Sequence, residues 1–387
     1  MLRGTFQLMK SVNKTAILNK IRLAGPISRA DIAKETGITP PTVSTIVKEL
    51  MAENLVAESR LGKSKGGRKP TLLLLKEDGS YVIGVDAGSK TIKAIVSDLV
   101  GHVLSRAEVE IYPHSTNEAF LEQMTAVIRT VLSEIADQCE KVLGIGVAMH
   151  GIVEIESGIS LYSSKTGLRN VPIKETLEAA FDLPVTVENN SRAMAIGEYW
   201  FGDYGYIQRF SVINIGRGVG SGLIVNDKLC YGAQDLTGEI GHVSISLDGD
   251  VCSCGNRGCF ETFVSGDAIV KRAKKMIHDA PDDLTAEKVY AFAKEGKTDY
   301  IHVLEETGKL IGIGIINLVH TVNPDQIVLG GGVMKSADFL MPQIQQTIRE
   351  RALTEKAKAE TKVVISKIGD DATVLGAAAL LLTELFY

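Results

Sequence analysis

The sequence predicts an α/β chain: a small helix-turn-helix module with a β-wing at the N-terminus, followed by a body of two similar lobes. Three observations carry that prediction. Residues 1–76 hold fourteen basic and five acidic side chains, a charge of +9 in a chain whose total is −5, so the remainder carries −14. Glycine is abundant, 38 residues in 387, and aromatics are few, a balance that suits α/β architecture with tight loops. Three glycine turns also fall at strand ends far apart in the sequence, as two lobes around a cleft would place them. The length allows two or three domains.

The first helix follows Asn13, with Ile17, Leu18 and Ile21 on one face. The second starts at Ser28, whose hydroxyl can cap it while Asp31 answers three residues on, and it stops at Gly37. Thr39 can cap the third helix, with Pro40 at a first position where a missing N–H costs nothing. Val43, Ile46, Val47 and Leu50 then repeat at i, i+3, i+4 and i+7. Two short helices joined by Gly37-Ile38 read as helix-turn-helix with the third helix as recognition helix. Leu55–Glu58 and Thr71–Leu75 flank a basic tip, Lys63–Pro70, and make a wing.

This module suits a polyanion, and operator DNA is the expected partner. Thr42, Ser44, Thr45 and Lys48 lie on the exposed face of the recognition helix, Arg29 opens the second helix, and Lys65 and Arg68 sit in the wing tip. Such groups reach base edges, phosphates or a minor groove. A helical dimerisation module with a solvated basic loop is the alternative.

The register then changes to strands. Val82–Gly88 is a strand feeding a tight turn with Asp86 and Gly88 at its end, and Ile92–Asp98 and His102–Val109 follow. The second loop, Gly216–Gly222, lies between two apolar strands and contains Arg217 and Gly218. The third, Gly330–Gly332 with Gly331 at its centre, follows the strand Gln326–Leu329. Backbone amides in such loops can cradle phosphate, although glycine serves hairpins and close packing equally well. Val185–Ala193 reads as a strand end running into a helix. Asn189 and Asn190 there can hydrogen-bond a polyhydroxylated ligand or simply cap the helix.

His242, Cys252, Cys254 and Cys259 form a complete tetrahedral ligand set for a structural zinc ion, with no place left for a catalytic water. The sequence holds five cysteines, and three of them fall within these eight residues; a cluster of reduced thiols in a tight turn is the bland alternative. Free thiols and a Cys-based metal set point to the cytoplasm. No apolar run reaches membrane-spanning length, and the N-terminus lacks a signal pattern.

Taken together, the Gly66–Pro70 wing, the Asp86 turn, Glu188-Asn189, Glu239–His242 and the Cys252–Glu261 segment resemble the ROK family of repressors and sugar kinases, over almost the whole chain. The resemblance implies a winged helix-turn-helix over 1–78 and a sugar-binding domain over 79–387 with an actin-like (ribonuclease H-like) two-lobed sugar-kinase fold. Lobe one would span about 79–192 plus 371–387, and lobe two about 193–370. It further implies a homodimer or higher homo-oligomer, and a sugar held by Asn189, Asn190, Glu239, His242 and Glu261.

Departures from the family's kinase pattern set the functional expectation. The position after the Asn, where the kinases carry an Asp as general base, is Asn190, and a carboxamide cannot take a proton at neutral pH. Ser89 and Lys90 replace a Gly and a Thr of the first phosphate loop, and Arg217 replaces a Thr of the second. The loops bearing Asp86, Gly88, Gly216, Arg217, Gly218 and Gly331 are therefore expected to be degenerate as nucleotide loops. The expected protein is not an enzyme but a sugar-responsive repressor of carbohydrate-utilisation genes, released from operator DNA by a monosaccharide, with xylose the first candidate. A cytoplasmic ATP-dependent sugar kinase with an accessory DNA-binding module is the alternative.

Overall fold

A computed structural model of the protein describes residues 6–61, 70–112, 114–163 and 165–386. The N-terminal module consists of α1 (Phe6–Ala24), β1 (Ile27–Ser28), α2 (Arg29–Thr36), α3 (Pro40–Ala52), β2 (Val56–Leu61) and β3 (Thr71–Leu75). Helix α1 begins ahead of Asn13, because no glycine or proline between Phe6 and Asn13 stops it. β1, absent from the sequence reading, completes a sheet of order β1-β3-β2. Ser28 Oγ accepts the Asp31 N–H at 3.1 Å and donates to Asp31 Oδ2 at 2.6 Å. Gly37 ends α2 with φ 72°, a left-handed turn that glycine adopts without cost. Thr39 sits at the N-cap of α3 but makes no side-chain cap bond; its hydroxyl pairs with that of Thr42 at 2.8 Å instead.

The predicted apolar stripes meet. Ile17, Leu18, Ile21, Val43, Ile46, Val47 and Leu50 are buried in one core with Leu73 and Leu75. That core continues into the body through Leu99, Ala378, Leu381 and Leu382. Burial on both sides docks the module onto the body, since apolar area removed from water stabilises by about 25 cal/mol per Å².

Lobe one is built on β4 (Tyr81–Ala87), β5 (Thr91–Asp98), β6 (Val103–Glu110), β7 (Val142–Met149) and, beyond a small antiparallel sheet of β8 (Ile152–Glu154), β9 (Ile159–Tyr162) and β10 (Arg169–Pro172), on β11 (Val185–Asn189). Its order is β11-β7-β4-β5-β6, with β4, β7 and β11 parallel and β4-β5-β6 antiparallel. Helices α4 (Asn117–Ser133) and α5 (Ile173–Phe181) pack their apolar sides on this sheet. After α6 (Asn190–Phe201), lobe two repeats the plan with β12 (Arg209–Ile215), β13 (Val219–Val225), β14 (Lys228–Leu229), β15 (Gln326–Gly330) and β16 (Val363–Ile365). Its order is β14-β13-β12-β15-β16, again an antiparallel hairpin joined to parallel strands. α7 (Glu261–Val264), α8 (Gly266–Met276), α9 (Ala286–Lys294), α10 (Thr298–Thr321), α11 (Ala337–Arg351) and α12 (Glu355–Glu360) belong to this lobe.

Between the two sheets lie α6, which packs on β12 and β13, and the C-terminal α13 (Ala372–Phe386), which packs on β4 and β7. The two helices touch backbone to backbone. A Cβ at Gly376 would stand 1.8 Å from the Ala193 carbonyl oxygen, so any larger residue there would force them apart. The carboxyl ends of the parallel strands of both sheets open on the cleft between the lobes, where ligands sit in sheets of this kind.

Candidate functional site

One cleft of about 860 Å³ gathers residues that lie far apart in the sequence. Asp86 and Gly88 come from the end of β4, Asn189 and Asn190 from the junction of β11 and α6. Gly216, Arg217 and Gly218 belong to the β12–β13 turn, and Gly331 follows β15. Glu239, His242 and Glu261 line the same space. The residues expected at the sugar, and Asp86, Gly88, Ser89, Gly216, Arg217, Gly218 and Gly331 of the glycine turns, are therefore brought to one cavity, whereas Lys90 is exposed and does not line it.

Both readings of the Asn189 side chain are realised. Its carboxamide oxygen caps α6 by accepting the Ser191 and Arg192 N–H groups at 2.9 and 3.3 Å, and its amide donates to the Gly151 carbonyl at 2.9 Å. The oxygen is thus committed to the helix, and one amide N–H remains for a ligand. Asn190 lines the cleft from the first helical position, and its carboxamide makes no hydrogen bond among the described residues. Beneath them Glu188 and Arg192 form a buried pair at 3.0 Å. Burial pushes Glu188 up to about 6, opposed by Arg192.

On the facing wall, Glu261 Oε2 accepts the Val219 N–H at 3.0 Å, which ties the start of α7 to the second glycine turn. Glu239 Oε2 stands 3.9 Å from His242 Nε2, and burial raises the Glu239 carboxyl while His242 and Arg192 pull it down. The other ring nitrogen, Nδ1, faces Cys252 Sγ at 3.5 Å. His242 therefore points one nitrogen at the thiols and the other at the cleft.

The four ligand atoms of His242, Cys252, Cys254 and Cys259 lie within 4.8 Å of one another. Cys254 and Cys259 have their sulfurs 3.7 Å apart, too far for a disulfide. Thiolates about 2.3 Å from a tetrahedral ion would be roughly 3.7 Å apart, so the cluster fits a metal ion. Backbone geometry sets up the loop: Gly258 has φ 66° and a Cβ there would lie 1.7 Å from the Ser246 carbonyl oxygen. Burial and the neighbouring thiols push Cys259 up to about 12, whereas hydrogen bonds from the Asn256 backbone and the neighbouring thiols outweigh burial at Cys254 and lower it.

Several residues of the cleft lie outside the sequence expectation. His150 follows β7, with Nδ1 3.4 Å from Ser163 Oγ. Burial, then the charges of Lys165 and Arg217, hold it down at about 4, so the imidazole is neutral. Lys165 and Arg169 also line the cleft; the Arg169 guanidinium stacks 4.1 Å over the Tyr162 ring. The signal in the sequence was a histidine directly after the apolar run Val142–Met149. Asp86 is pushed up to about 6 by burial, with Lys93 opposing.

On the N-terminal module, Thr45 and Lys48 are exposed and Thr42 and Ser44 partly so. The Thr45 hydroxyl turns back on the Pro41 carbonyl at 3.1 Å. Arg29 has an intramolecular partner, Glu58, at 3.0 Å. Lys65 and Arg68 lie outside the described residues. Among the described residues no helix is long and apolar enough to cross a membrane.

Residues 82–384 match the ROK family, and residues 12–57 match a winged helix-turn-helix DNA-binding family. The chain is 32% identical to the xylose repressor of Caldicellulosiruptor bescii, over 99% of this chain and 98% of that one. It superposes on a ROK family transcriptional regulator, a homologue of the E. coli Mlc protein, with TM-score 0.84 and 28% identity, covering 98% and 97% of the two chains. A ROK family glucokinase from Streptomyces griseus, solved with glucose and AMPPNP, gives TM-score 0.69 at 28% identity, covering 78% of this chain and 99% of that one.

Proposed function

The chain belongs to the ROK family and carries a winged helix-turn-helix ahead of the ROK domain, and from that premise we propose a cytoplasmic, sugar-responsive transcriptional repressor. It binds operator DNA as a homodimer and releases it when a monosaccharide, xylose first among the candidates, enters the cleft. Zinc held by His242, Cys252, Cys254 and Cys259 is structural, fixing the segment that presents Glu239, His242 and Glu261. The cleft binds sugar without phosphorylating it, because Asn190 offers no base for the attacking hydroxyl; loss of such a base costs about two to four powers of ten in rate.

The observation that carries this reading is helix α6. Its first turn supplies Asn189 and Asn190 to the cleft. At the other end of this 12-residue helix, about 15 Å away, Trp200 and Phe201 pack against the core of the DNA-binding module. There the Arg22 guanidinium of α1 lies 4.0 Å from the Trp200 ring centroid. Closure of the lobes on a sugar moves α6 with α13, and the module rides on both. Coupling follows if the closed state orients two recognition helices differently from the DNA-bound state.

The test is a gel shift on operator fragments selected from genomic DNA, titrated with monosaccharides. The expected result is tight binding in the absence of sugar and release by one or a few sugars. Release by none would overturn the sensor reading. In a coupled ATP assay over the same sugars, turnover at ordinary kinase rates that Glu239→Ala abolishes would overturn the non-enzymatic one. Lys48→Ala should weaken operator binding and, where Lys48 meets a phosphate, lower the salt slope by about one unit.

A further inference from the structure

Two charged groups behind the sugar wall are left without hydrogen bonds. Arg192, on the first turn of α6, is buried, and its Nε pairs with Glu188 Oε1 at 3.0 Å. Its Nη1 is enclosed and has no hydrogen-bond partner among the described residues. A buried N–H of a charged group left unmet costs free energy, so such an atom calls for an explanation. Glu239 is the second group. Its carboxylate makes no hydrogen bond among the described residues, and His242 Nε2 at 3.9 Å is beyond bonding distance.

The backbone sets these two groups side by side. A Cβ at Gly220 would stand 2.5 Å from Ser191 Oγ, and one at Gly222 3.1 Å from Arg192 Cα, so β13 is pressed directly on the first turn of α6. Between those glycines, Ser221 holds the residue before Glu239: its N–H and its hydroxyl both donate to the Gly238 carbonyl, at 2.8 and 3.0 Å. The Tyr231 hydroxyl bonds Glu188, and the Arg192 guanidinium lies 5.3 Å from the Tyr231 ring centroid. Burial raises Glu239, while the charges of His242 and then Arg192 lower it, so the guanidinium is close enough to be felt. Arg192 does not itself line the cleft, and it can act on a ligand there only through another residue.

Resting on the reading that the cleft binds a monosaccharide, we infer that Arg192 positions Glu239 for the sugar: Nη1 donates to one carboxylate oxygen while the other oxygen accepts a sugar hydroxyl. Charge favours this partner over a buried water, because the N–H···O bond then joins two ions in surroundings of low dielectric. The sugar hydroxyl fixes the carboxylate from the cleft side and the guanidinium fixes it from behind. Because Arg192 also grips Glu188 on β11, the same bond ties the sugar wall of lobe two to lobe one through α6.

A double-mutant cycle read by titration calorimetry on the full chain tests this, with xylose, glucose and N-acetylglucosamine as probes. Arg192→Met should weaken sugar binding about fivefold to fiftyfold, the range for groups coupled through one contact. In a Glu239→Ala background the same change should alter affinity less than about twofold, because the group that Arg192 acts on is gone. Arg192→Lys should recover part of the loss, with a single ammonium in place of the guanidinium fork. Removing one partner of a buried pair is strongly destabilising. Glu188→Gln/Arg192→Met, which removes both charges, is therefore carried through the same cycle, and the Tm without sugar reports folding of each variant. An equal loss with and without Glu239 would mean that Arg192 serves Glu188 and the fold alone; it would overturn the positioning role and leave the sugar reading standing. A wild-type protein that binds none of the three sugars would overturn the sugar reading and the positioning role together.

Discussion

The two walls of the cleft have the same kind of backbone and different chemistry. On the wall formed by Glu239, His242 and Glu261, each side chain is anchored: Glu261 by the Val219 N–H, His242 against the cysteines, Glu239 beside His242. On the glycine-turn wall the loops keep their shape, while the side chains in them are a buried carboxyl pushed up to about 6 at Asp86 and an unpaired cation at Arg217. Only some of the loop glycines are required by packing: a Cβ at Gly331 would stand 2.4 Å from Asn214 Oδ1 and one at Gly218 3.0 Å from Glu261 Oε2, whereas one at Gly216 or Gly332 would meet open space. Side chains in those loops are free to change once they no longer meet a nucleotide. On the proposed function, the anchored wall recognises the sugar and the glycine-turn wall supports no phosphoryl transfer.

The sharpest way to break this contrast is to remove the anchor. Cys254→Ser should reduce the metal content from about one zinc per chain to near zero, since a structural site needs its full ligand set. The Tm should fall by at least about 5 °C, because ligation free energy is folding free energy, and sugar binding should go with it. Elemental analysis of chelator-free, reduced protein, followed by thermal melts, checks each part. A wild-type protein without metal would leave the wall anchored by packing alone.

The next step compares the walls directly. Glu239→Ala should weaken sugar binding about tenfold to a hundredfold, the range for a lost hydrogen bond to a charged group. Ser89→Ala, in the first glycine turn, should change it less than about threefold. Equal effects measured by calorimetry would mean that both walls recognise the sugar.

The anchored wall was also the more legible one in the sequence. Three thiols within eight residues announce a ligand set whatever the fold, and the helix stripes and Gly37 stop of the N-terminal module are equally local. Thr39 looked like a cap and is not one, because Thr42 competes for its hydroxyl. β1 was missed because two residues carry no periodicity. His150, Lys165 and Arg169 were missed for a different reason: they become neighbours of Arg217 only when lobe one closes on lobe two. A histidine ending an apolar strand was visible, but its meaning depends on the parallel pairing of β7 with β4 and β11. The contact of α6 with the N-terminal module was likewise invisible, since nothing in the sequence brings Trp200 to Arg22.

That coupling is open to a milder test. Trp200→Ala leaves the cleft lining untouched, so sugar affinity should change little. Operator release by saturating sugar should weaken by about threefold to tenfold, within the usual range of coupling free energies. Fluorescence anisotropy with and without sugar reads both quantities. A variant that loses sugar binding itself would show that the last turn of α6 shapes the cleft rather than transmitting from it.

The smallest expected effect concerns the altered wall alone. Asp86 ionises near 6 in the folded protein against 3.8 unfolded, so its carboxylate is penalised by burial. The stability this group contributes is complete below about 3.8 and lost as pH rises through about 6. Asp86→Asn carries no such penalty. It should therefore match the wild type near pH 4 and exceed it at pH 7 by about 2–4 °C in Tm, allowing for partial solvent screening. His150 also titrates in this window with the opposite sign, since burial and its cationic neighbours hold it near 4. It is common to both proteins and cancels in the difference. A variant less stable than wild type at pH 7 would mean that Lys93 and other partners stabilise the Asp86 carboxylate by more than burial penalises it.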